Sequence, residues 1–235
     1  MKRFWDRAEV AEGPDGFTVL LDGKKLRLPG GTRLVLPGRT LAEAVAAEWQ
    51  QAGGAKGVEM SFADVPLTRL AGTAQDRISP DPVQTVDALA AYGESDLLCY
   101  RADAPPELAR LQAQAWQPWL DWAARAHDAP LKITTGVMPV KQEVAALAAL
   151  RSAVADHPPA MLAGLGLAVP SLGSLVLGLA LAAGEVSATD AHALATLDER
   201  FQAGLWGEDA EAAQRRRNLA DEVALAARFM ALAGA

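Results

Sequence analysis

One cysteine, two tyrosines and three histidines are all the chain of 235 residues offers of the side chains that most often do covalent or metal chemistry. A lone thiol, Cys99, cannot close an internal disulfide, which points to a reducing compartment. No Cys pair and no HExxH motif occurs, and His127, His157 and His192 lie far apart, so no zinc site is expected. No Walker loop is present: Lys24 follows Asp22-Gly23, with the wrong glycine spacing and no following hydroxyl. "GLGLAV" (164–169) opens like a dinucleotide fingerprint, but Val169 stands where glycine is needed and no strand precedes it. Neither G-x-S-x-G nor S-x-x-K is found. The basic excess of a nucleic-acid binder is missing too, since the formal net charge is −7.

Charge itself is missing from one stretch. Residues 158–184, "PPAMLAGLGLAVPSLGSLVLGLALAAG", carry none, and about 20 apolar residues would span a bilayer. Pro170, the serines after it and the many glycines and alanines favour a buried helix of a soluble protein, preceded by a turn. The N-terminus, "MKRFWDRAEVAEGPDG", lacks an apolar core and carries acids early, unlike a signal or transit peptide.

Hydrophobic residues, at 51%, suffice for a large core. "GFTVLLDGKKLRLP" reads as two strands around the hairpin dipeptide Asp22-Gly23, and "TRLVLP" as a further strand. "TLAEAVAAEWQQ" reads as a helix opened by a Thr40–Glu43 capping box and closed by Gly53-Gly54. Beyond Pro80 the signals are helical. Asp81-Pro82 starts one helix, a longer one runs from Pro105 with a kink at Pro118, and four more segments follow to the C-terminus. Glu211 and Arg215 are spaced for an ion pair on the last of these. The expected architecture is α+β: a small β-containing N-terminal domain over residues 1–78, with one or two helices, and a larger all-helical domain over residues 79–235.

Three clusters invite a functional reading. Cys99 lies in "YGESDLLCYRAD" near Arg101, and a cysteine-dependent enzyme would pair it with a histidine. The apolar residues before it favour a buried thiol, with Tyr92, Asp96, Tyr100 and Arg101 fixing an apolar joint. Trp116, Trp119 and Trp122 fall at i, i+3 and i+6 and suggest a core stripe. Trp206 precedes Gly207 and the acids Glu208, Asp209 and Glu211. That composition suits either a partner surface or a helix start loaded with acids against its dipole.

Six segments in order, "GFTVLLDGKKLRLP", "LAEAVAAEWQQ", "MSFADVPLTRLAGTAQDRI", "YGESDLLCYRAD", "LQAQAWQPWLDW" and "FQAGLWGEDAE", resemble the F₁-ATPase assembly chaperones that bind the alpha subunit of ATP synthase. The resemblance covers nearly the whole chain, except for about residues 140–170. It implies a binding protein without catalytic residues, metal, cofactor or nucleotide. Its client would be the alpha subunit, held until the beta subunit replaces it. A bacterial, cytoplasmic member is implied, the mitochondrial counterparts residing in the matrix. By analogy the client contact falls to Trp206, Gly207, Glu208, Asp209 and Glu211. Glu48, Trp49, Tyr92, Asp96, Tyr100 and Arg101 are assigned to the architecture within and between the domains.

Overall fold

A computed structural model describes residues 1–136 and 138–235, and the chain divides into two compact units. The first comprises Met1–Pro82, Pro159–Gly164 and Arg228–Ala235. Its sheet is an antiparallel meander of β1 (Ala8–Gly13), β2 (Gly16–Leu21) and β3 (Lys24–Lys25). Between β2 and β3 the Asp22-Gly23 turn forms as expected, with φ values of 47° and 78°, the twist that a two-residue hairpin requires. Val19 and Leu21 face the core; Thr18 is also buried because its hydroxyl donates to the Leu34 carbonyl at 2.9 Å.

"TRLVLP" does not form the regular strand that its composition suggests. It is held by isolated pairings, chiefly the two hydrogen bonds exchanged by Phe17 and Leu36. β1, in contrast, emerges from a stretch with no strong strand signal. Four of its six residues are half-buried, and it draws its order from the ladder with β2, where Val10 faces Val19.

Helix α1 (Arg39–Gln51) turns Leu41, Val45 and Trp49 inward. Its N-cap is Gly38, so Thr40 and Glu43 lie two residues too far along to form the expected capping box. At the other end the buried Arg3 guanidinium donates to the carbonyls of Trp5, Gln50, Ala52 and Gly54, which satisfies the free end of α1. Trp5 and Trp49 pack at 5.0 Å between ring centroids, next to α2 (Pro66–Thr73).

The second unit comprises Val83–Pro158 and Leu165–Ala227. It holds α3 (Val83–Ala90), α4 (Pro106–His127), α5 (Val144–Ala155), α7 (Leu175–Ala182), α8 (Ala188–Ala195) and α9 (Leu197–Trp206). Helices α6 (Pro159–Leu172) and α10 (Ala210–Ala233) contribute residues to both units. One short parallel pair, β4 (Tyr100–Arg101) with β5 (Thr134–Thr135), interrupts the helices.

Pro118 lies inside α4, which continues to His127. The buried face of α4 is Leu108, Gln112, Trp116, Leu120 and Ala123, and the three tryptophans do not share it. At 100° per residue, i+6 falls 120° from i; Trp119 and Trp122 are accordingly half-buried, and Trp122 packs edge-on against His127.

The uncharged stretch becomes two helices, α6 and α7, separated by Gly173 at φ 62°. Among the described residues no helix is long and apolar enough to cross a membrane. "GLGLAV" is interior to α6 and forms no phosphate loop.

Candidate partner-binding surface

Helix α9 is ten residues long, and none of them is buried. Leu197, Phe201 and Leu205 recur at i, i+4 and i+8, the spacing of a helix that normally covers one apolar face. Leu205 is 60% exposed, and Trp206, the last residue of α9, is 79% exposed. An indole this open leaves a large apolar surface wet.

The turn that carries Trp206 is tied down by its own acids. Gly207 takes φ 92°, a conformation that favours glycine, and lets the chain leave α9 sharply. Glu208 accepts from the Arg216 guanidinium at 2.6 Å, and Glu199 lies 3.5 Å from the same group. Asp209 accepts from the Ala212 amide at 2.8 Å and so caps the start of α10. Glu211 is exposed in the first turn of α10. Its expected pairing with Arg215 does not form: Arg215 turns instead to Glu199, at 3.6 Å. Two of the three acids beside Trp206 are therefore engaged within the turn. What the turn leaves open is Leu205, Trp206 and the Glu211 carboxylate. Leu205 and the α9 stripe escaped sequence reasoning, although the spacing in "LDERFQAGLW" carried the signal.

The opening cluster is built for position. Asp96 is fully buried; its carboxylate accepts from the Leu98 and Val176 amides, both at 3.0 Å, and joins the chain before Cys99 to the start of α7. Burial pushes this carboxyl upward, against the pull of the amides and of Ser174. Arg101 donates to the Gln112 carbonyl and lies over the Trp116 ring at 5.2 Å. Gln112 in turn binds the Ala102 amide at 2.7 Å and Asp198 at 2.8 Å. Tyr92 and Tyr100 are half-buried, with Tyr100 paired to Thr134 in β4–β5.

Cys99 is completely buried, and burial first, then the Asp96 charge, pushes its thiol up to about 12. Such a thiol is protonated at neutral pH and unsuited to nucleophilic attack. Among the described residues no group of three His, Cys, Asp or Glu could hold a metal ion. In the first unit the Trp49 indole donates to the Thr68 hydroxyl at 2.7 Å. The Glu48 carboxylate accepts from the amides of Leu67 and Thr68, at 2.7 and 3.0 Å, at the start of α2.

Known proteins share this fold. Residues 2–124 match the family model of the ATP12 chaperone protein. The crystal structure of Atp12 from Paracoccus denitrificans superposes with a TM-score of 0.93 at 42% identity, over 99% of this chain and 98% of that one. A candidate chaperone from Agrobacterium tumefaciens gives a TM-score of 0.88 at 38% identity, over 97% of this chain and 84% of that one.

Proposed function

The chain belongs to the ATP12 chaperone family, which serves the assembly of ATP synthase, and on that premise we propose that it binds the free alpha subunit and covers its apolar interface until the beta subunit takes its place. A subunit made for an obligate ring exposes, when alone, the large apolar patch that its neighbour will bury, and such patches aggregate. A chaperone of about micromolar affinity, roughly 8 kcal/mol, holds that patch out of water yet gives way to the far larger contact of the true neighbour. Release then needs only competition and no nucleotide. In a bacterium this would take place in the cytoplasm.

The observation that carries the reading is Trp206, an indole 79% exposed on a turn in which two of the three neighbouring carboxylates are already committed. An open aromatic on a tied turn binds with little loss of backbone freedom. Gly207, Glu208 and Asp209 support this contact by shaping the turn, and Glu211 contributes charge at its rim. Glu48, Trp49, Tyr92, Asp96, Tyr100 and Arg101 act through the architecture.

The test is a light-scattering assay of the purified alpha subunit, with the chain at equal concentration and the beta subunit added afterwards. The expected result is suppressed aggregation, a complex in gel filtration, and its dissociation by the beta subunit. An alpha subunit that aggregates equally with and without the chain would overturn the proposal.

A further inference from the structure

The stripe on α9 has an opposite wall. Leu111, Ala115 and Trp119 of α4, also at i, i+4 and i+8, face Leu197 and Phe201 across a solvent-open groove of about 700 Å³. Each stripe spans nine residues, about 12 Å of helix, or roughly two turns. Leu205 continues the α9 wall from the groove to Trp206. Leu111 is 45% exposed, and none of the α9 side chains is buried. Glu185 and Asp190 line the α8 side; among the described residues neither makes an ion pair, and Asp190 is bonded only near Ser187. Arg200 stands on the α9 wall.

We infer that this groove takes two turns of an amphipathic helix of the client, apolar at i, i+3 or i+4 and i+7, with a Lys or Arg directed to Glu185 and Asp190. The inference rests on the alpha-subunit reading above and says what part of that client is held. The occupant is helical for a physical reason. Both principal walls are helices whose backbone groups are bonded internally, so they offer a bound chain side chains but no ladder partners. An extended strand would bury its own amides unpaired, whereas a helix arrives with them satisfied. The cation is set by the two carboxylates of the α8 side, neither of which has an ion-pair partner among the described residues, and is excluded from the α9 wall by Arg200.

The probes are the purified alpha subunit and fluorescent 20-residue peptides tiling its sequence, titrated against the full-length chain by anisotropy. Ala115→Trp fills the groove without removing a buried side chain; Glu185→Lys reverses an exposed rim charge and leaves the fold untouched. Expected are peptides with a basic amphipathic helix among the binders, and alpha-subunit binding weakened about tenfold or more by the first change and about threefold to tenfold by the second. The Glu185→Lys variant should also lose part of the salt dependence. If both variants, folded by circular dichroism, bind the alpha subunit like the parent while Trp206→Ala does not, the groove assignment fails and the client reading stands. If the parent chain itself does not bind, both fail. A dimer of the chain that Ala115→Trp splits would make a second copy the occupant and overturn the assignment.

Discussion

Trp49 and Trp206 each sit in the last turn of a helix with a carboxylate close by in sequence, and their surroundings treat them in opposite ways. Around Trp49 the polar side chains have internal partners: the indole meets Thr68, the adjacent Glu48 meets two amides of α2, and the ring is 1% exposed. Around Trp206 two of the three carboxylates are likewise engaged, one by Arg216 and one by an amide of α10, but the ring is left in water. In both places the acids organise backbone; only the destination of the aromatic differs. The lesson is that an acidic cluster beside a tryptophan does not by itself mark a binding site. The mark is an aromatic that sits on a hydrogen-bonded turn and is left uncovered by it.

The strongest way to break this comparison is to truncate both rings. Trp49→Ala should cost about 3–5 kcal/mol and lower Tm by roughly 10 °C or more in a thermal melt. Trp206→Ala should change stability by no more than about 0.5 kcal/mol, while weakening capture of the alpha subunit by about 2 kcal/mol, near thirtyfold. A Trp206→Ala protein that melts like Trp49→Ala would erase the distinction. Next in size is Asp96→Ala, which leaves two buried amides without acceptors and should cost about 2–4 kcal/mol in denaturant titrations, with Asp96→Asn about half as costly.

A smaller effect sharpens the reading of the turn. If Glu208 serves Trp206 through Arg216, then Glu208→Ala and Arg216→Ala should each weaken capture by about 1 kcal/mol, and the double variant no more than one alone. Additive losses would make the carboxylate a direct contact. The smallest effect concerns Cys99. Its thiol should react with a maleimide only after denaturant is added, and rapid labelling of the native chain would contradict its burial. Folding keeps this thiol protonated up to about 12, against an ordinary value of 9.0. The native state therefore holds a proton that the unfolded state loses, and this contribution to stability falls as pH rises from 9 towards 12. Cys99→Ala should flatten that part of the alkaline stability profile relative to the parent.

Local chemistry explains which elements could be foreseen. Asp22-Gly23 dictates its hairpin because both residues must take positive φ. β1 could not be read from its own residues, since its order comes from β2 across the ladder. "TRLVLP" has strand composition but finds only isolated partners. At the surface, the sequence pointed to Trp206 but did not reveal that Glu208 looks inward. That depends on Arg216, eight residues further on and inside α10, and on burial that no local pattern encodes.

Helix α7 has a consequence for how the molecule comes into being. Leu175 to Leu181 are all buried, so this segment has no wet side to orient it. A methyl group at Gly178 would sit 2.4 Å from Val169, which permits only one seating. Until α4 and its neighbours close over it, a growing chain displays an apolar rod that any sticky surface could seize. A member of a chaperone family thus meets that hazard during its own birth, and the Asp96 carboxylate, bonded to the Val176 amide at the start of that rod, helps to fix where it lies.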